Sequence, residues 1–476
     1  MKQVHNKLIA LCISTSLCSA LLSGCGAGSG QQATQTQAPV QTEVQGETQA
    51  PAETQAQASA ETQEQASAET QAQTEADSDT AAASTQDGSE DAVYVEPVAG
   101  IAGDFICGMD ASAVLVEENS GVTYYNFDGE EQDVFETLSQ SGVNYIRLRV
   151  WNDPYDEDGN GYGGGNNDVA TAVELGMRAT EYGMKVCIDF HYSDFWADPK
   201  RQHAPKAWEG MDADEKCSAL YDFTKESLTE LLDAGVDVEM VQIGNEINNG
   251  MSGETKLPVV TQLLDAGSRA VREISEDYGK EIQIAVHYTS ITNKAQVDSL
   301  VANLEDSEID YDIVALSYYP FWDGSLKNMQ RVVQLIQERY GKKVVIAETS
   351  YCYTSEDGDG SANSLVGIDD LVDGYPATVQ GQASMVRDVC AAASEAGALG
   401  VFYWEGTWIP VGEATADNSP IWEEFGSGWA SSYASDYDPE DAGKYYGGCS
   451  WDNQAMFDFD GHPLESLNVF RMIFGE

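Results

Sequence analysis

Tyr145-Ile146-Arg147-Leu148-Arg149-Val150-Trp151 reads as a strand with two unlike faces. A period of two puts Ile146, Leu148 and Val150 on one side and both arginines on the other. Further on, Lys185-Val186-Cys187-Ile188-Asp189-Phe190-His191 repeats the scheme with Asp189 and His191 on one face. Apolar runs recur over residues 105–110, 240–244, 283–287, 313–317, 344–347 and 401–403. Helix-like stretches separate them, over 133–141, 169–182, 214–234, 255–278, 325–340 and 380–396. Parallel neighbours need crossovers of that length. Eight such strands close a (β/α)8 TIM barrel in the α/β class, with room left for loop insertions. A doubly wound open sheet is the other use of this alternation, but no Gly-rich phosphate fingerprint follows the first strand.

The strand ends carry the chemistry. Asp110, Arg147 and Arg149, Asp189 and His191, Gln242 ahead of Asn245-Glu246, His287, and Glu348 all fall at or beside them. Ionisable groups are costly to bury without partners, and the C-terminal rim of a barrel is where active sites are assembled. Val241-Gln242-Ile243-Gly244-Asn245-Glu246 and Val344-Val345-Ile346-Ala347-Glu348 each end an apolar run in a glutamate. By count these are the fourth and seventh strands, whose ends can face each other across the mouth. Two carboxyls there suit glycoside hydrolysis, one donating to the leaving oxygen and one attacking the anomeric carbon. Asn245 is placed to hold a sugar 2-hydroxyl, and an arginine of the second strand to keep one carboxylate ionised. The alternative is a plain pair of salt bridges from the same arginines.

Composition narrows the partners. Lys and Arg total 24 against 80 Asp and Glu, a formal net charge of −56. A chain so acidic does not hold nucleic acid or anionic lipid through its own charge. Residues 1–24 read as a signal peptide: Lys2 and Lys7, then an apolar run too short to span a bilayer. Leu22-Ser23-Gly24-Cys25 resembles a bacterial lipobox, which makes Cys25 the lipidated residue of an exported, surface-anchored lipoprotein. Residues 25–95 are Gln-, Thr-, Ala- and Glu-rich, with an imperfect eight-residue repeat and almost no large apolar side chain, and read as a disordered linker. Residues 96–476 form the catalytic domain, expected to act as a monomer. No C-x-x-C or paired-His spacing indicates zinc, and no organic cofactor is expected.

The longer motifs carry a resemblance. Gly108-Met109-Asp110-Ala111-Ser112, Ile146–Trp151, Asp189-Phe190-His191-Tyr192-Ser193-Asp194, Gln242–Glu246, Ala347-Glu348-Thr349 and Ser450-Trp451-Asp452-Asn453-Gln454 together resemble glycoside hydrolase family 53, the endo-β-1,4-galactanases, over nearly all of residues 100–474. The resemblance implies a retaining mechanism with Glu246 as acid/base and Glu348 as nucleophile. It also implies β-1,4-galactan as substrate, as in type I arabinogalactan and pectic side chains. Arg147, Arg149, Asp189, His191, His287, Tyr318, Trp322 and Trp404 are the further candidates for sugar contacts. Two other readings stand beside this one: a lipid-anchored carbohydrate-binding protein without catalysis, and a related barrel glycosidase acting on mannan or xylan.

Asp357, Asp359, Ser361 and Asn363 space oxygen side chains at every second position of a Gly-rich loop, which suits Ca²⁺. An EF-hand is excluded, because Ile368 stands where its bidentate Glu belongs. The resemblance adds Ser450 and Asp452 to the ligand set, and Ser361 stands where it implies a His. Of the six Cys in the domain, Cys107 and Cys187 fall in strands and are expected to be buried free thiols.

Overall fold

The computed structural model describes residues 92–413, 416–444 and 447–476. The signal peptide, Cys25 and nearly all of the linker lie outside the described residues. Eight parallel strands close a barrel in sequence order. They are β1 (Ile106–Asp110), β2 (Tyr145–Val150), β3 (Lys185–Phe190), β4 (Val238–Ile243), β5 (Gln283–Tyr288), β6 (Ile313–Ser317), β7 (Lys343–Glu348) and β8 (Gly400–Tyr403). All eight expected strands are present. β4 starts and stops earlier than expected, because Gly244 turns out of the strand at φ +90°.

The alternation visible in the sequence becomes an inside and an outside. Ile146, Leu148, Val150, Ile188 and Val241 point outward into the main core beneath the helices. Tyr145, Cys187, Met240, Ala285, Ala315, Val345 and Phe402 point inward and fill the lower barrel as a separate apolar cluster. Above that plug the inward positions become Arg147, Asp189, Gln242, His287 and Ser317. Register holds the levels together, with Arg149 opposite Asp189 and Asp189 opposite Gln242. The polar layer is therefore the upper continuation of a packed barrel interior, as the period of two requires.

The expected helices are present within two residues at each end. Asp168, Asp212, Ser325 and Thr378 each cap one with a side-chain oxygen. The crossover from β5 to β6 is a further helix, Lys294–Asp306, whose Val297, Val301 and Leu304 are buried. All six domain cysteines are free, with Cys107 and Cys187 buried. Ahead of β1, Val95 and Val98 are buried and Tyr94 exchanges hydrogen bonds with Gln380.

Candidate active site

Arg147 is the hub of the barrel mouth. Its Nε donates to Gln242 Oε1 at 3.2 Å, and Nη1 to both oxygens of Asp110 at 3.2 Å. Nη2 reaches Asp189 Oδ2 at 2.9 Å, Asn245 Oδ1 at 3.0 Å and Glu348 Oε1 at 3.1 Å. The rigid guanidinium fork thus fixes groups from β1, β3, β4 and β7 at once. Arg147, and not Arg149, holds the glutamate of the seventh strand. Arg149 pairs with Glu405 and donates to Gly164 O at 2.8 Å, with its Cζ 4.0 Å from the ring centroid of Trp196. It supports an aromatic wall.

One buried cation faces several carboxylates, so the site has to keep some of them protonated. Burial pushes Asp110 well above the carboxylate range, with Arg147 only partly offsetting it. Asp189 ends below its usual value: burial works against ionisation, but Arg147 and His191 outweigh it. Glu348 is raised by burial, against the pull of Arg147 and of the Tyr319 hydroxyl. Glu246 is pushed up to about 8, first by burial and then by the charge of Glu348. No arginine or lysine pairs with Glu246 among the described residues.

The two glutamates meet at Ser317. Its Oγ lies 2.7 Å from Glu246 Oε1 and 3.3 Å from Glu348 Oε2. Those two legs put Glu246 Oε1 and Glu348 Oε2 at most about 6 Å apart, in keeping with the close carboxyl pair of a retaining site. Tyr319 donates to Glu348 Oε2 at 2.9 Å. Glu246 itself sits at φ +44°, a left-handed conformation that aims its side chain back over the mouth.

Two sequence expectations, Tyr318 and His287 as cleft residues, are corrected here. Tyr318 is fully buried and donates to Gly324 O at 2.7 Å, so it does not face the cleft. Ser317 points inward at the end of β6, so the next residue points out and Tyr319 returns to the site. His287 is also fully buried, 2.8 Å from Asn245 Oδ1, behind the groups that line the cleft. Asn245 has its carbonyl held by Arg147 while its Nδ2 donates to Ala197 O at 2.8 Å.

Asp110, Arg147, Asp189, His191, Asn245, Glu246, Glu348, Trp322 and Trp404 do line one cleft of about 520 Å³. Its aromatic wall is larger than expected. Trp196 stacks on Trp429 with centroids 4.4 Å apart, and Trp451 meets Trp404 edge-on at 5.0 Å. Trp322 is 57% exposed and presents an open ring at the rim. Tyr319 and Trp429 also line the cleft, as does Trp451, which the sequence offers only as part of a motif; the two tryptophans come from loops that only the fold returns to the mouth.

A second carboxylate cluster lies beside this wall. Ligand oxygens of Asp357, Asp359 and Asp452 fall within 4.8 Å of one another. Burial and mutual repulsion push Asp359 up to about 8 and Asp452 to about 7. Asn363 Oδ1 and Asp452 Oδ1 are buried without a hydrogen-bond partner. Backbone ties fix the loops: Cys449 N–H donates to Asp359 Oδ2 at 2.8 Å, and Ser364 N–H to Ser450 O at 2.9 Å. Ser361 is buried and gives its N–H to Asp359 Oδ1 at 2.7 Å. Converging oxygens with orphaned lone pairs fit a hard divalent cation.

The sequence model of glycosyl hydrolase family 53 matches residues 106–470. The chain is 53% identical over 383 residues to the endo-β-1,4-galactanase of Bacillus subtilis (strain 168), covering 80% of this chain and 88% of that protein. It is 33% identical over 315 residues to an arabinogalactan endo-β-1,4-galactanase of Cellvibrio japonicus (strain Ueda107), covering 64% and 81%. Among solved structures, the Ignisphaera aggregans GH53 catalytic domain superposes with a TM-score of 0.71 at 38% identity, covering 80% of this chain and 99% of that one.

Proposed function

This chain belongs to glycosyl hydrolase family 53, and from that premise we infer that it is a glycoside hydrolase cutting β-1,4-galactan internally. The observation that carries the chemistry is the meeting of Glu246 and Glu348 at one hydroxyl, with only Glu348 held by an arginine. That asymmetry supports a retaining double displacement. Glu348, ionised against Arg147 and Tyr319, attacks the anomeric carbon. Glu246, protonated at neutral pH, gives its proton to the departing oxygen. Once the glycosyl-enzyme forms, the charge of Glu348 is gone, Glu246 stays ionised more easily, and it takes the proton of the incoming water. Asn245, Asp189 and His191 are placed to bind sugar hydroxyls, and Trp322, Trp404 and Trp451 offer ring faces along the cleft.

The Asp357, Asp359, Asn363 and Asp452 oxygens, with Ser361 and Ser450 beside them, would hold Ca²⁺ as a structural ion. Bound there, it would neutralise the acidic cluster and fasten the loop after β7 to the segment that carries Trp451. Cys25 would carry the lipid, with residues 25–95 holding the catalytic domain off the membrane.

The experiment is release of new reducing ends from galactan, mannan and xylan by the soluble domain. Release from galactan alone, with the β anomer appearing first by proton NMR, is expected. Release from mannan or xylan alone would overturn the substrate, and no release from any polymer would leave a binding protein. Cys25→Ala should move activity from membranes to the medium; equal release of the unaltered protein would overturn the anchor.

A further inference from the structure

The groups around His287 settle which of its ring nitrogens carries hydrogen. Nδ1 lies 2.8 Å from Asn245 Oδ1, and Nε2 lies 2.9 Å from Ser317 Oγ. The Asn245 amide cannot be turned round, because Arg147 donates to its Oδ1 and its Nδ2 donates to Ala197 O. Gln242 is fixed likewise: Arg147 Nε donates to its Oε1, and its Nε2 gives hydrogens to Asp189 Oδ1 and Asn245 Oδ1. Asn245 therefore meets His287 as an acceptor, and Nδ1 has to be the donor. Two donors compete for Nδ1: Gln242 Nε2 at 3.2 Å, whose two hydrogens have nearer acceptors in Asp189 Oδ1 and Asn245 Oδ1, and the Glu246 backbone N–H at 3.4 Å. Both are longer than the Asn245 contact, and an unprotonated Nδ1 would set two lone pairs 2.8 Å apart. Burial and the nearby Arg147 keep the ring neutral, so Nε2 is left as an acceptor.

Ser317 has one proton and three neighbours that could take it: His287 Nε2, Glu246 Oε1 and Glu348 Oε2. We propose that His287 and Ser317 are positioning residues that hold the site's exchangeable proton on Glu246. His287 Nε2 accepts the Ser317 proton, and the hydroxyl lone pairs then accept the carboxyl proton of Glu246 at Oε1. Glu348 needs no hydrogen from Ser317, since Arg147 and Tyr319 supply its donors at 3.1 and 2.9 Å. The opposite polarity, with Ser317 donating to an ionised Glu246, would favour the base and work against the acid step. The charged and titratable groups that face His287 are Arg147 from β2, Asp189 and His191 from β3, Glu246 after β4, and Glu348 at the end of β7. Arg147 gives the ring a fixed positive neighbour, so the tautomer persists while the glutamates titrate.

The proposal rests on Glu246 being the acid, so its first test uses no turnover. In the ¹⁵N-histidine NMR spectrum of the whole protein, the ring whose Nε2 resonance moves in Ser317→Ala is His287. That ring should show a protonated Nδ1 and an unprotonated Nε2 across the active pH range. A protonated Nε2 would overturn the proposal even if galactan hydrolysis behaves as described. The second test reads polarity. In Ser317→Ala the carboxyl proton of Glu246 loses its acceptor, so the alkaline limb of kcat/KM should move to lower pH by about one pH unit. Ser317→Thr, which restores the hydroxyl, should bring the limb back. A limb that stays in place or moves to higher pH would mean that Ser317 donates to Glu246, and the proposal would fall.

Discussion

Among the described residues, two largely buried clusters of acidic side chains deal with the same problem in different ways. At the mouth, Asp110, Asp189 and Glu348 surround Arg147, and Glu246 stands just outside its reach. In the loop cluster, Asp357, Asp359 and Asp452 converge with no arginine or lysine paired to them among the described residues. With Arg149 taken up by Glu405, Arg147 alone is too little for the other carboxylates at the mouth, so the shortfall is met by a proton, and a proton held near neutral pH can be transferred. The loop cluster has no internal cation at all and leaves lone pairs unpartnered, which suits a metal held for structure. An incomplete charge balance therefore serves reaction in one place and fastening in the other.

The largest expected effects come from the pair at the mouth. Glu348→Ala and Glu246→Ala should each lower kcat/KM on galactan by about 10⁴-fold or more. Wild-type activity should follow a bell-shaped pH profile. Glu246 is raised to about 8, so the acid is lost as pH rises through that value. Glu348 is also raised by burial, so the nucleophile is lost as pH falls, at a higher pH than for an ordinary glutamate. A profile with no alkaline limb would break the asymmetry drawn here.

Removing the hub should cost less but reach further. Arg147→Lys keeps the charge and loses the fork, and kcat should fall about 10²- to 10³-fold. The acid limb should move to higher pH, because Glu348 loses part of what holds it ionised. Arg149→Lys should leave that limb in place, since Arg149 is paired with Glu405. If the two variants shift the limb equally, the hub is wrongly placed.

The loop cluster should answer to metal and pH together. Asp359 and Asp452 bind protons more tightly folded than unfolded. Their contribution to stability in the metal-free protein is therefore full below the unfolded carboxylate range and is lost as pH rises through about 7 to 8. Chelator-treated protein should melt lower at pH 8 than at pH 5, and added Ca²⁺ should raise Tm more at pH 8. Asp359→Asn should abolish most of that response. Calcium with no effect on Tm at either pH would remove the ion from the account.

Much of the mouth was legible because strand geometry is local. A period of two, read from Arg147, Arg149, Asp189 and His191, puts these side chains inside the barrel, and the two glutamates close apolar runs. Tyr318 was misread because the same rule has to be counted from the last inward residue, Ser317, which makes Tyr319 the one that returns. His287 was read at a strand end, where it stands, but its depth behind Asn245 depends on packing between strands, which no single strand encodes. The places of Trp429 and Trp451 in the cleft were out of reach for a different reason: long loops carry them to the mouth, and loop paths leave no periodic signal. The smallest prediction concerns this loop-built wall. Trp322→Ala should raise KM about three- to tenfold on galactan and change kcat little, and an unchanged KM would take the exposed ring out of the binding cleft.

Trapping with azide on an activated aryl β-galactoside of suitable length shows whether Glu348 attacks and Glu246 handles the proton. In Glu246→Ala the leaving group departs without help, the glycosyl-enzyme forms on Glu348, and azide should give the β-galactosyl azide. In Glu348→Ala azide enters from the open face and should give the α product. The reverse pairing of variant and anomer would exchange the two roles, and an undiminished rate in either variant would contradict the account.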